Sequence, residues 1–432
     1  MKGTSNKIHA LCAILICAIA LAAGAEPRFE FLSFADYYGG IEPGDGYQNL
    51  RSRIFMRPTF GGIHDSSGFE WQLSANLWAQ PLGEPNYINL WDIPYESYMF
   101  MPFDFFDITL GFKILSYGFS DVSGPLNVTN SGNAIPYGLT EAFDGRRPDP
   151  LLQLKFYPSF EDTIELTYIP ITRPDRERGG SIALPDSNDT LEWRDDSWLT
   201  DPDTMHSLFA VYSHYGEKID MQFFYGWYTS HKPDFLIPEM TNSIASVIKP
   251  VYRKKHTFGF AYSLRLWTMT LAQDIAFTIT SDLAGTDIGA QNSELTVNTQ
   301  LLVNLPWNIL SQYSLVYAFF PNHNQHSVGT DSAASAYLAE EVQGFHTQPF
   351  QHIAYIITHF EKTFLREKLK TSLNIGFFFS PKIYFGPQIT YNISDYWQFE
   401  LGADITLLEP PDNDLRRNTA NDSFYVRLLY RY

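Results

Sequence analysis

The sequence predicts an all-β protein, a single transmembrane antiparallel up-and-down β-barrel of about 18 strands with short turns at one end and long loops at the other. Three observations carry this. Segments of strict two-residue alternation recur along the chain. After residue 25 no apolar run is long enough for a membrane helix, so any span must be built of strands. Short connections alternate with long ones.

The first 25 residues stand apart. Lys2 and Lys7 precede an apolar run over residues 8–22, and Ala23-Gly24-Ala25 precedes Glu26. This order of parts is a secretory signal peptide, so residues 1–25 are expected to be cleaved and residues 26–432 to form one barrel domain. The only two cysteines, Cys12 and Cys17, lie in that segment. Neither follows a small residue, and no lipoprotein anchor is expected. The exported chain then has no disulfide, no cysteine-bound metal and no thiol nucleophile. Cleavage would leave 28 basic against 48 acidic residues, a net charge of −20. That sign disfavours nucleic-acid binding.

The chain holds 26 Tyr, 34 Phe and 9 Trp, yet its mean hydropathy is only −0.19. Its rings must therefore be interleaved with polar residues. Phe69, Trp71, Leu73, Ala75 and Leu77 alternate with Glu70, Gln72, Ser74 and Asn76. The same pattern recurs from Ile219, Leu295, Leu369 and Trp397, and in the terminal "SFYVRLLYRY". Short connections fall near residues 61–67, 102–105, 158–162, 215–217, 265–266, 305–307, 362–367 and 394–395. Long ones fall near 39–48, 79–92, 116–148, 172–205, 230–253, 281–291, 321–349 and 409–422. A short connection near Ser380 and Pro381 is the exception. The first strand is expected over residues 29–37, and a weaker one is required over 93–101. The resulting even count puts both ends of the barrel in the periplasm.

In a barrel, chemistry lies on the inner face and in the loops. With the more apolar set turned outward, Arg51, Arg53, Arg57, Lys113, Lys155, Arg427 and Arg431 face inward as a basic set. Glu70, Asp107, Glu165, Asp220, Glu294, Glu400 and Asp404 face inward as an acidic set. Opposed charges of this kind either select polar solutes by a transverse field or pair with each other to stiffen the wall. Arg427 and Arg431, on the closing strand, are expected to converge with the Arg51 to Arg57 ladder.

Loop 172–205 carries nine acidic residues against four arginines. Asp186, Asn188, Asp189 and Glu192 supply oxygens of the kind Ca²⁺ takes, but Leu191 stands where a calcium-loop glycine is required. The commoner meaning of such a stretch is a solvated loop, and no metal or cofactor is expected. His323 and His326, with His346 in the same loop, lack a ligand set of defined geometry. No G-x-S-x-G, H-E-x-x-H, P-loop or G-x-G-x-x-G motif is present. His206, His214 and His359 lie on strands without an evident serine partner, and no enzyme is expected.

The layout resembles that of bacterial outer-membrane porins, in particular the 18-stranded alginate-export and substrate-specific porins. "GFKILSYGFSDVSGPLN", with Gly111, Lys113, Tyr117, Gly118, Asp121 and Asn127, and "RRPDPLLQLKFYPSFEDTIELTYIP" resemble stretches of an uncharacterised family of outer-membrane barrels. They depart from that pattern at Tyr117, where it has Trp, and after Asn127, where it has Pro. The terminal aromatic Tyr432 resembles the signal read by the barrel-assembly machinery, usually a Phe. The resemblance implies a bacterial cell outer membrane, contact with its lipid, a monomer or homotrimer, and passive diffusion of small polar or charged solutes. Loops 116–148 and 172–205 would narrow the lumen. The alternatives are a transporter of hydrophobic compounds of the fatty-acid type, or a surface adhesin with a closed lumen.

Overall fold

The computed structural model describes residues 26–40, 51–82, 93–120, 124–132, 145–175, 181–183, 190–192, 205–236, 249–287, 289–323, 348, 350–378, 382–406 and 423–432. Nineteen strand segments among them join in one antiparallel sheet. Two of these are halves of a single stave, so the barrel has 18 strands. In chain order they are β1 (Glu26–Gly40), β2 (Arg51–His64), β3 (Phe69–Ala75 continued by Leu77–Leu82), β4 (Pro94–Pro102), β5 (Phe106–Lys113), β6 (Asp149–Phe156), β7 (Asp162–Ile171), β8 (Met205–Tyr215) and β9 (Ile219–Thr229). They continue as β10 (Lys254–Leu266), β11 (Met269–Ile279), β12 (Glu294–Leu305), β13 (Ile309–Phe319), β14 (His352–Phe364), β15 (Leu369–Phe378), β16 (Lys382–Asn392), β17 (Trp397–Thr406) and β18 (Ser423–Arg431).

Each strand pairs with its neighbour in sequence. The ring closes where β1 pairs with β18, from Leu32 opposite Arg431 to Gly40 opposite Ser423. Closure leaves no edge, which is the condition for a sheet to lie in hydrocarbon. β1 extends three residues beyond the expected 29–37 at each end. β4 supplies the strand required near 93–101, and the short connection at 379–381 separates β15 from β16. β3 breaks at Asn76, whose side-chain oxygen accepts from Arg57 Nε at 2.8 Å and whose backbone N–H donates to Ile93 O at 2.7 Å.

Period two sorts the side chains. Leu110, Leu152, Leu166, Phe223, Phe258, Phe277, Leu315, Phe377, Leu401 and Leu428 are exposed on the outer face. Thr109, Gln153, Thr167, Gln222, Asp274, Asn298, Ser314 and Glu400 are buried on the other. A polar inside and an apolar outside invert a water-soluble β-domain and suit a lipid-surrounded barrel. At the turn end, Trp267, Trp307 and Asn308 have φ of 50°, 66° and 58°. The left-handed conformation matches strand twist in tight hairpins, and here it is adopted by bulky tryptophans where glycine is usual.

Candidate functional site

A segment within the connection between β5 and β6 folds inward onto the wall of β6 to β11. It leaves the wall at Lys113, returns at Asp149, and in between meets β9 and β11. Gln222 Oε1 accepts from Gly118 N–H at 2.7 Å. The Asp274 carboxylate accepts from Phe119 N–H at 2.9 Å, Ser120 N–H at 3.1 Å and the Ser120 hydroxyl. Donors converging on a fully buried carboxylate offset its desolvation, and the same bonds fix the loop tip. Gly118 has φ +88°, and a Cβ there would lie 2.3 Å from an Asp274 oxygen, so only glycine fits the grip.

Beside this latch the inner wall turns apolar. Leu151, Ile169, Phe209, Val211, Phe224, Ala261 and Ala276 form a buried patch that receives Tyr117 and Leu126. Leu126 is fully buried, and Tyr117 tilts against Phe224 at 5.4 Å between centroids. Burial, reinforced by the charge of Glu165, pushes the Tyr117 phenol well above its ordinary range, so the ring seats neutral.

The base of the loop is pinned through buried polar groups. Asp149 accepts from Arg173 Nε at 2.8 Å and Ser131 N–H at 3.1 Å. Asn130 bridges Leu115 N–H and Lys113 O, and Arg146 donates to Leu115 O at 2.8 Å. The His231 ring stands between two carbonyls, with Nδ1 2.8 Å from Arg173 O and Nε2 3.0 Å from Val128 O. A short hairpin of Asp234–Leu236 with Lys249–Val251 lies near the same rim, where Arg253 pairs with Asp287 at 2.8 Å. Burial raises the Asp234 carboxyl above its usual range, against the opposing pull of Lys255 and Arg253.

The charges singled out in the sequence fall on the inner face by register, but the basic ones among them are largely paired or stacked. At the closing seam Asp36 of β1 accepts from Arg53 of β2 at 2.5 Å and from Arg427 of β18 at 3.4 Å. Arg427 also meets Glu400 of β17 at 3.0 Å. Both guanidiniums lie 5.1 Å from the Phe34 ring centroid. Arg53 and Arg427 therefore meet around one carboxylate, while Arg431 lies toward the turn end. Arg57 stacks on Tyr95 at 3.5 Å, Lys113 lies over Tyr98 at 4.9 Å, and Lys155 pairs with Glu165 at 2.9 Å. Arg51 stands opposite Tyr38 in the β1–β2 ladder.

The acidic set is similarly partnered. Asp220 accepts from Arg265 at 2.7 Å and Glu70 from the Tyr98 hydroxyl at 3.1 Å. Asp107, Glu294 and Asp404 accept from the hydroxyls of Tyr157, Thr296 and Tyr384. Arg431 lines a polar cavity of about 650 Å³ toward the turn end, between β14 and β18.

Solved structures match this architecture over nearly the whole chain. OpdK from Pseudomonas aeruginosa superposes with a TM-score of 0.53 at 9% identity, covering 94% of this chain and 98% of that one. A BenF-like porin from Pseudomonas fluorescens Pf-5 gives 0.53 at 8% identity, covering 95% and 98%. The fold is that of an 18-stranded outer-membrane porin. OccK2 (OpdF) of Pseudomonas aeruginosa, solved in complex with glucuronate, shares this porin fold with a TM-score of 0.52 at 10% identity, covering 94% and 98%. No protein-family model and no curated protein matches the sequence.

Among the other sequence candidates, Asp186, Asn188, Asp189, His326 and His346 lie outside the described residues. Glu192 belongs to a short hairpin of Ser181–Ala183 with Thr190–Glu192, opposite Ser181. His323 is buried with Nε2 2.9 Å from Gln348 O. His206, His214 and His359 meet Tyr168, Asp162 and Asn374 respectively. Sequence reasoning missed Gln222, Asp274 and His231. A buried Asp at the centre of "AQDIAF" was the available signal for Asp274, but its partner lies 154 residues away.

Proposed function

We propose that this protein is a channel in the bacterial outer membrane for passive diffusion of small polar or charged solutes, with residues 115–120 and 124–131 as its constriction. The observation that carries this reading is the Asp274 latch, which holds a loop against the inner wall of a lumen lined largely by polar side chains. A loop fastened to the inner wall narrows the passage to a fixed width. A carrier of hydrophobic compounds would need an apolar lumen, whereas the inner wall beyond the loop seat is built of amides, hydroxyls and paired charges.

The residues of the basic set and the carboxylates they pair with are assigned here as wall elements whose pairing stiffens the barrel. The C-terminal strand, with its alternating outer face ending at Tyr432, would be the handle for the assembly machinery. Residues 1–25 would direct export.

Liposome swelling tests the channel. Vesicles carrying the refolded protein should swell in isotonic solutions of arabinose, glucose and glucuronate, the last being the ligand of one structural neighbour, and should not swell in a large dextran. Swelling no faster than in protein-free vesicles would overturn the reading.

A further inference from the structure

The polar cavity toward the turn end has a lining that specifies a solute class. We infer that it is a binding site for a neutral, polyhydroxylated solute of one or two sugar rings, a reading that rests on the channel function proposed above. Its volume of about 650 Å³ lies within the range of small-molecule sites.

Inner-face side chains of three consecutive strands converge there. Ser372 and Asn374 come from β15, Gln388 and Thr390 from β16, and Gln398 from β17. Register places Ser372 opposite Gln388 and Thr390 opposite Glu400. Their hydrogen bonds leave capacity on the cavity side. Gln388 Oε1 accepts from the Ser372 hydroxyl at 3.5 Å, which leaves the Gln388 amide nitrogen as a donor. Asn374 Oδ1 is engaged by His359 at 2.7 Å, so its amide nitrogen is likewise available. Gln398 donates to Glu400 at 2.8 Å and keeps its carbonyl oxygen as an acceptor. The Thr390 hydroxyl supplies either role. Such a mixed array matches hydroxyl groups, each of which both donates and accepts.

The charges around the cavity decide against an anion. Glu361 is neutralised by Lys370 at 3.0 Å, and Glu400 by Arg427 at 3.0 Å. The interior cations nearest the cavity, Lys370 and Arg427, are thus already engaged by carboxylates, and a carboxylate ligand would have to compete for them, whereas a neutral polyol would not.

The test is a calorimetric titration of the refolded full-length barrel in detergent with glucose and with glucuronate, which differ only at the sixth carbon. Saturable glucose binding, at least severalfold tighter than glucuronate binding, is expected. Thr390→Val and Gln388→Leu should each weaken glucose binding severalfold, the fold-change for losing one net hydrogen bond of about 1 kcal/mol. Should Gln388→Leu fail to fold, the nearly isosteric Thr390→Val carries the test alone. Glucuronate binding as tightly as glucose, or unaltered glucose affinity in folded variants, would overturn the assignment. Conductance separates the two readings, since a silent protein that still binds glucose contradicts the channel and not the site.

Discussion

Asp274→Ala probes the constriction directly. The carboxylate receives two backbone N–H donors and one hydroxyl from the loop tip. Hydrogen bonds to a charged acceptor contribute roughly 1.5–3 kcal/mol each, so three set an upper range of about 4.5–9 kcal/mol. The released donors regain water in the lumen, and the Gly118 bond to Gln222 and the seat of Leu126 remain. A net loss of about 3 kcal/mol follows, which raises the population with a detached tip by roughly 100-fold. Single-channel recording reads the consequence as a larger mean conductance with greater open-state noise. Asp274→Asn keeps one acceptor oxygen but turns an amide N–H toward a donor, and should fall between wild type and Ala. Wild-type conductance and noise in a folded Asp274→Ala protein would refute the latch.

Other variants test other joints. Gly118→Ala places a methyl group against Asp274 from a left-handed backbone, and its recordings should resemble those of Asp274→Ala. Arg427→Ala leaves Asp36 with only Arg53 and strips Glu400 of its cation inside the seam. Denaturant unfolding should show a loss of about 3–5 kcal/mol, the usual cost of breaking a buried pair from one side. Arg53→Ala leaves Asp36 and Glu400 against Arg427 alone, so reversal potentials in a salt gradient should move toward cation selectivity. A change of sign would mean that the ladder governs selectivity. His231→Leu removes the bridge between Arg173 O and Val128 O, and limited proteolysis of the 115–131 segment should become faster.

Much of the barrel was legible because period two is a strong code when it repeats. The antiparallel order of the staves, the weak strand at β4 and the short 379–381 connection all follow from alternation and connection length. Alternation fails where the inside is not polar. Phe209, Val211 and Phe224 point inward because a loop remote in sequence covers them, and no local pattern announces that cover. Pairing was equally hidden, since Asp36 and Arg427 are 391 positions apart and meet only when the ring closes. The Tyr98 and Tyr157 hydroxyls, which serve Glu70 and Asp107, read in the sequence as members of the aromatic complement alone.

Current through a planar bilayer containing the refolded residues 26–432 tests the central claim most directly. Stepwise openings of uniform size are predicted, with a reversal potential on the cation-selective side in a tenfold salt gradient because Glu70, Asp107, Glu294 and Asp404 are held by hydroxyls, which do not cancel their charge. A protein that is folded and inserted yet carries no current, in wild type and in Asp274→Ala alike, would contradict the channel.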